Sequence, residues 1–225
     1  KVPNTPNTKF RIASITKPFT AILVMQLVEK KVLKLDEPIG TYLKKYPTLA
    51  GEQITIRHLL THTSGLVRDV EVEDKSHHSP KELISFFSKQ DLQSKPGEKF
   101  SYSNAGYILL GYLLETVTGK PYKELLEERI FIPLKMFNSG YYRHHQILEN
   151  RSSGYRNNFI DYRNVNYKDF SNAYSAGAIY STVEDMFLFD QALYTEQLVS
   201  VEYLNLIFSK HVATDFGGDY GLGWE

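Results

Sequence analysis

Between residues 14 and 33 the chain crowds Ile15, Phe19, Ile22, Leu23, Met25, Leu27 and Val28 so closely that a helix there has no polar face. Such a helix cannot lie on a surface and has to be enclosed by other elements. Pro18 fits only near its start, where backbone N–H groups lack helical partners in any case. The longest apolar stretch, residues 19–28, is broken by Thr20 and Gln26 and falls short of the ~18 residues of a membrane span. The rest of the chain must therefore supply the enclosure. Its 225 residues, 42% hydrophobic and 23% charged, suit an ordinary globule read here as one domain, residues 1–225.

The 26 basic and 26 acidic side chains balance, which leaves no electrostatic footprint for nucleic acid or an anionic membrane. With no cysteine there is no disulfide, thiolate nucleophile, iron–sulfur cluster or cysteine-ligated zinc. Ile54, Thr55 and Ile56 read as a short strand before a brief helix at residues 58–61. Ser79-Pro80-Lys81-Glu82 is a capping box that opens a helix to about residue 89, and a turn follows at residues 95–98. Helical periodicity runs over residues 104–117 and is closed by Gly119, after which Pro121 opens a helix to about residue 130. A second capping box starts at Ser181 and opens a helix to about residue 194. One more helix is expected near residues 200–208, and a strand in the closing YGLGWE.

Ser14-Ile15-Thr16-Lys17 is the first pattern with chemical meaning. On a helix, i and i+3 share a face about 5–6 Å apart, so the Lys17 amine can reach the Ser14 hydroxyl. A serine is a weak nucleophile until something takes its proton. A buried lysine loses affinity for its own proton and can serve as that base. The other reading of the tetrad is a helix cap followed by a surface lysine, but a charged residue inside the apolar ITKPFTAILVM needs a reason. Tyr102-Ser103-Asn104 is the second pattern, placed after the Pro96-Gly97 turn and anchored by Phe100. A phenol near Lys17 would have its ionised form favoured by the cation and could shuttle protons. The Asn104 amide could orient both the lysine and a substrate carbonyl.

FRIASITKPFTA, LLTHTSGL, PGEKFSYSNAGYILLG, TGKPYKELLEERIFIPLKM, SAGAIYSTVEDM and YGLGW, in that order, resemble the landmarks of the serine beta-lactamase and penicillin-binding superfamily. The similarity is to its class C-like branch, with D-alanyl-D-alanine carboxypeptidases, D-aminopeptidases and esterases. The resemblance implies an α+β fold, an antiparallel sheet flanked by helices plus a mainly helical lobe. It implies Ser14 as the acylated nucleophile, Lys17 as its proton partner, Tyr102 as a second general acid or base, and Asn104 as a contact to Lys17 and substrate. Ser103 takes a position that need not react. The implied activity is hydrolysis of an amide, lactam or ester, with D-alanyl peptides or beta-lactams favoured, no cofactor, and a bacterial cell-envelope or secreted setting. The family also carries a Lys/His-Thr/Ser-Gly motif beyond its YGLGW-like segment, and strands before its S-x-x-K helix. Neither lies within these 225 residues, so a sheet lacking outer strands at both ends is expected.

Two other functions compete. One is a binding or sensor module of the same fold that acylates slowly or not at all. The other is an unrelated esterase using Ser175, because Ala173-Tyr174-Ser175-Ala176-Gly177 imitates a nucleophile elbow. His58 and His62 could share a helix face at i, i+4, but Leu59 stands where a metalloprotease motif needs Glu, so no metal site is expected. His77, His78, His144 and His145 sit in polar stretches and read as solvated. The tyrosine-rich residues 141–180 read equally as a substrate groove or as a packed excursion.

Overall fold

The computed structural model describes residues 3–44, 46, 48–72, 76–143, 145–157, 159–166 and 169–225. Strand β1 (Phe10–Arg11) leads into a 3-10 turn, Ala13–Ile15, and then into helix α1 (Thr16–Glu29). Helices α2 (Thr48–Gln53), α3 (Ile56–Leu60), α4 (Pro80–Phe87), α5 (Asn104–Thr118) and α6 (Tyr122–Leu126) follow. Strands β2 (Gly140–Tyr141), β3 (Tyr155–Asn157) and β4 (Tyr162–Asn164) precede the short helix α7 (Tyr174–Gly177). Strand β5 (Ile179–Ser181), helices α8 (Val183–Ala192) and α9 (Val201–Phe208), and strands β6 (Val212–Ala213) and β7 (Asp219–Tyr220) complete the order.

The enclosure that α1 demands is present. Every residue from Phe19 to Leu27 is buried, and the helix packs against α5, α6 and α7. Phe19 stacks on Phe189 at 3.9 Å between ring centres. The polar side chains caught inside are satisfied: Thr20 Oγ1 lies 2.6 Å from the Tyr122 hydroxyl and donates to Ser175 O at 2.7 Å. Gln26 Nε2 donates to Leu198 O at 3.0 Å. Left unpaired, each such group would cost about 1–3 kcal/mol.

A three-stranded antiparallel sheet has the order β1-β5-β2, with Arg11 opposite Tyr180 and Tyr141 opposite Ile179. Ile12 N donates to Ile179 O at 3.0 Å, and Ile179 N donates to Thr16 Oγ1 at 3.2 Å. These two bonds hold the sheet to the first turn of α1. The pairs β3–β4 and β6–β7 are separate two-stranded ribbons.

The sequence expectations differ from the structure locally. Ser14 lies on the 3-10 turn ahead of α1, and Ile15, expected inside, is 52% exposed because that turn faces outward. Residues 54–56 form no strand: Thr55 makes one bridge to Pro38, then caps α3 by accepting from His58 N. The helix after Pro121 changes at Glu127 into a π-helical turn, Glu127–Phe131. The expected capping box at Ser181 is displaced by one residue, since Ser181 ends β5 and its hydroxyl meets Ser139 Oγ at 2.7 Å. Thr182 caps α8 instead, through Asp185 N. Of YGLGWE only Tyr220 is in a strand; Leu222 and Gly223 pack into the core, with Gly223 against Ala21.

Helices α5 and α7 meet at Gly111, where a Cβ would fall on the Ser175 side chain and the Tyr174 ring. Ser175 cannot swing aside, because its hydroxyl is committed to Tyr107 O at 2.7 Å. Gly111→Ala gains about 1 kcal/mol of helix propensity but meets overpacking of about 1–3 kcal/mol. Net destabilisation of up to about 2 kcal/mol in chemical denaturation is expected; a stabilised variant would contradict this packing.

Candidate active site

Ala13 adopts a φ of 48°, uncommon for a residue with a side chain, and this turn lifts Ser14 to the surface. One helical turn further on, Lys17 is buried, with 2% of its surface exposed. Its Nζ has three oxygen partners: Ser14 Oγ at 3.2 Å, Asn104 Oδ1 at 2.7 Å and Ala176 O at 2.9 Å. The Tyr102 hydroxyl donates to Ser14 Oγ at 2.9 Å. Lys17 and Tyr102 thus meet at the Ser14 oxygen, and Asn104 joins them through the Lys17 amine.

Tyr102 and Asn104 reach this point because Ser103 between them turns inward and caps α5. Its Oγ accepts from Gly106 N at 3.0 Å and donates to Val67 O at 2.7 Å. Residues 101–104 are zipped onto the loop after α3. His62 O accepts from Ser101 N at 2.7 Å, His62 Nδ1 accepts from Ser103 N at 3.0 Å, and Asn104 N donates to Arg68 O at 2.7 Å. The His62 ring stacks beneath Tyr102 at 4.3 Å. At the mouth, the Arg68 guanidinium lies over the Tyr102 ring at 5.2 Å, and Asp69 Oδ1 accepts from Asn104 Nδ2 at 2.6 Å. A cleft of about 230 Å³ opens beside Ser14, lined by Asp69, Val70, Val72, Asn104 and Phe170.

Burial pushes the Lys17 ammonium down to about 7, with Asp69 opposing the shift and Arg68 adding to it. The Tyr102 phenol moves the other way: burial raises it, partly offset by its bond to Ser14. The sequence reading has a neighbouring cation favouring the ionised phenol; Arg68 does pull that way, but burial outweighs it. His62 is pushed down to about 3, first by burial and then by Lys17 and Arg68, and is a neutral ring.

Ser175 is corrected as a nucleophile: it is fully buried and its hydroxyl is spent on Tyr107 O. His58 and His62 share no helix face, since α3 ends at Leu60 and His62 turns away with φ 57°. His58 Nδ1 accepts from Thr55 N at 3.2 Å. His78 packs edge-on against Phe86, and His77 Nδ1 meets Ser171 Oγ at 2.8 Å, so neither is simply solvated. His145 is exposed, and His144 lies outside the described residues. The tyrosine-rich stretch divides. Tyr141 and Tyr174 line a cavity of about 390 Å³, while Tyr155 and Tyr162 stand exposed on the β3–β4 ribbon. The sequence reading missed Arg68, Asp69, the Ala176 carbonyl and the gripping role of His62. Charged residues just after THTSGL were the available signal; a backbone carbonyl leaves none.

The Beta-lactamase family model matches residues 1–225. The structure of a penicillin-binding protein from Bacillus halodurans superposes with a TM-score of 0.86 at 32% identity, covering 99% of this chain and 70% of that one. D-amino acid amidase from Ochrobactrum anthropi SV3, complexed with D-phenylalanine, gives 0.88 at 29% identity, covering 99% and 68%. Teichoic acid D-alanine hydrolase of Staphylococcus aureus (strain MRSA252) is 26% identical over 223 residues, 99% of this chain and 55% of the hydrolase. The chain belongs to the Beta-lactamase family, and the α+β beta-lactamase/transpeptidase fold is its fold. It spans about half the length of the curated relatives it matches, 53 to 55% of each.

His62 also makes the site acid-sensitive. The unfolded imidazole takes up a proton below about 6.5, whereas the folded one resists until about 3. Stability is therefore whole above 6.5 and is lost as the pH falls toward 3. In melting curves between pH 7 and 4, His62→Gln is expected to lose less of its melting temperature than wild type. An equal or steeper loss would show that His62 does not carry this sensitivity.

Proposed function

We propose that this chain carries the acyl-transfer centre of a serine hydrolase, with Ser14 attacking an amide, lactam or ester carbonyl. The observation that carries the reading is the set of three oxygens around Lys17 Nζ. A neutral amine has two N–H bonds and one lone pair. The Asn104 and Ala176 oxygens can only accept, so they take the two N–H groups. The lone pair is left for the Ser14 hydroxyl proton. With its pKa near 7, Lys17 spends a large fraction of its time in that form at neutral pH.

The proton ledger then closes over two steps. In acylation, Ser14 Oγ bonds to the carbonyl carbon, its proton passes to Lys17, and the Tyr102 hydroxyl protonates the departing amine or alkoxide. The resulting phenolate faces the new Lys17 ammonium, which favours it at that moment. In deacylation, Tyr102 takes a proton from water, the hydroxide attacks the acyl carbon, and Lys17 returns its proton to Ser14. The names of similar proteins, a D-amino acid amidase and a teichoic acid D-alanine hydrolase, favour a D-aminoacyl amide or ester or a beta-lactam. A cell-envelope setting is part of the same proposal. Among the described residues no helix is long and apolar enough to cross a membrane.

Labelling with a fluorophosphonate or fluorescent penicillin tests the centre. Wild type should carry the adduct on the Ser14 peptide and Ser14→Ala none; an adduct elsewhere would overturn the assignment. Lys17→Ala should slow labelling by roughly 10²–10⁴-fold, the contribution of a general base. The wild-type rate should rise with pH through about 7, where Lys17 loses its proton, and level off above. With an ester or amide substrate in place of the label, a Ser14 acyl adduct that is never released would favour a sensor over a hydrolase.

A further inference from the structure

The Asn104 amide has two ends of nearly the same shape, and only one suits the lysine. Its oxygen accepts from Lys17 Nζ at 2.7 Å, while its NH2 group donates to Asp69 Oδ1 at 2.6 Å. An ionised carboxylate only accepts, so it can receive only the NH2 end. We propose that Asp69 is a positioning residue for the acyl-transfer centre: by holding the Asn104 NH2 group, it keeps the amide oxygen toward Lys17 and the lysine lone pair toward Ser14. The inference rests on the reading of Ser14 and Lys17 given above.

Donor counting shows what is at stake. With the amide turned over, its NH2 group would face Lys17 Nζ. A neutral lysine would then spend its lone pair accepting from that group. A protonated lysine would meet a donor with a donor. In both cases Ser14 loses its base. The backbone of Asn104 is fixed separately, through its N–H to Arg68 O, and does not choose the amide's sense. Ala176 O supplies the second fixed acceptor, and a carbonyl has no alternative sense. Of the two acceptors that hold the amine's N–H groups, Asn104 is thus the one whose polarity could reverse, and Asp69 is bonded to its far end.

The charges facing this unit are few. Arg68 Nε stands 3.6 Å from Asp69 Oδ2, with both side chains largely exposed. The Tyr102 and Tyr107 rings lie 4.8 and 5.4 Å from Lys17 Nζ, and His62 behind them is neutral. Helix α7 presents only the carbonyl of Ala176 to the amine. Asp69 favours the lysine's proton and Arg68 opposes it, both less than burial does. Because Asp69 is exposed, its replacement should leave the fold intact, which thermal melting of each variant checks.

The test is the fluorophosphonate acylation rate of Ser14 against pH for wild type, Asp69→Ala and Asp69→Asn. Asp69→Ala should lower the high-pH plateau by roughly ten- to a hundredfold, the scale of a small misplacement at a reacting group. It should also move the midpoint to lower pH, because a charge that favours protonated Lys17 is gone. Asp69→Asn keeps an oxygen that can accept from Asn104, so it should recover much of the plateau while retaining the shifted midpoint. A plateau in Asp69→Ala equal to wild type would overturn the proposal. So would an Asp69→Asn as slow as Asp69→Ala, since orientation would then not be the cause. If wild type takes no label on Ser14, the reading of the centre fails, and this proposal with it.

Discussion

Removing Lys17 from water is the constraint on which the rest depends. A lysine in solvent holds its proton far too tightly to help a serine at neutral pH. Burial relaxes that hold to about 7, but a buried amine also needs partners for its N–H groups. The fold answers both needs with the same atoms. The Asn104 and Ala176 oxygens satisfy the amine, and in doing so they aim it.

These oxygens come from distant parts of the chain, and each is held by a separate device. Asn104 depends on the Ser103 cap of α5 and on the loop zipped to residues 101–104. Ala176 depends on α7, which the close contact at Gly111 seats against α5. Helix α1 is enclosed because its own residues leave no face for water, and that enclosure is what dries the lysine. Core packing and site chemistry are here one arrangement seen from two ends.

The enclosed helix was legible because an apolar surface on every side admits no other placement. Ser14, Lys17, Tyr102 and Asn104 were legible because their order and spacing match a family's pattern, and the structure brings them together. Their electrostatics were legible only in part. The lysine's lowered affinity follows from its apolar neighbours in sequence, but the phenol's raised one depends on how far Tyr102 is covered by His62 and Arg68. The boundary errors share a cause. At residues 54–56 and at Ser181 a hydroxyl takes a competing hydrogen bond: Thr55 caps α3 through His58 N after a single bridge to Pro38, and Ser181 meets Ser139. Ser175 failed as a nucleophile for a similar reason, since no local pattern reports that a hydroxyl faces a neighbouring helix.

The bond from Lys17 to Ala176 spans 159 positions of sequence. A ribosome delivers the serine and its lysine early, and the carbonyl that completes their geometry long afterwards. Until that carbonyl arrives the young amine remains hydrated and charged, and the serine beside it is chemically ordinary. On the proposed reading of Ser14, the geometry of the centre exists only once these distant segments have closed on each other.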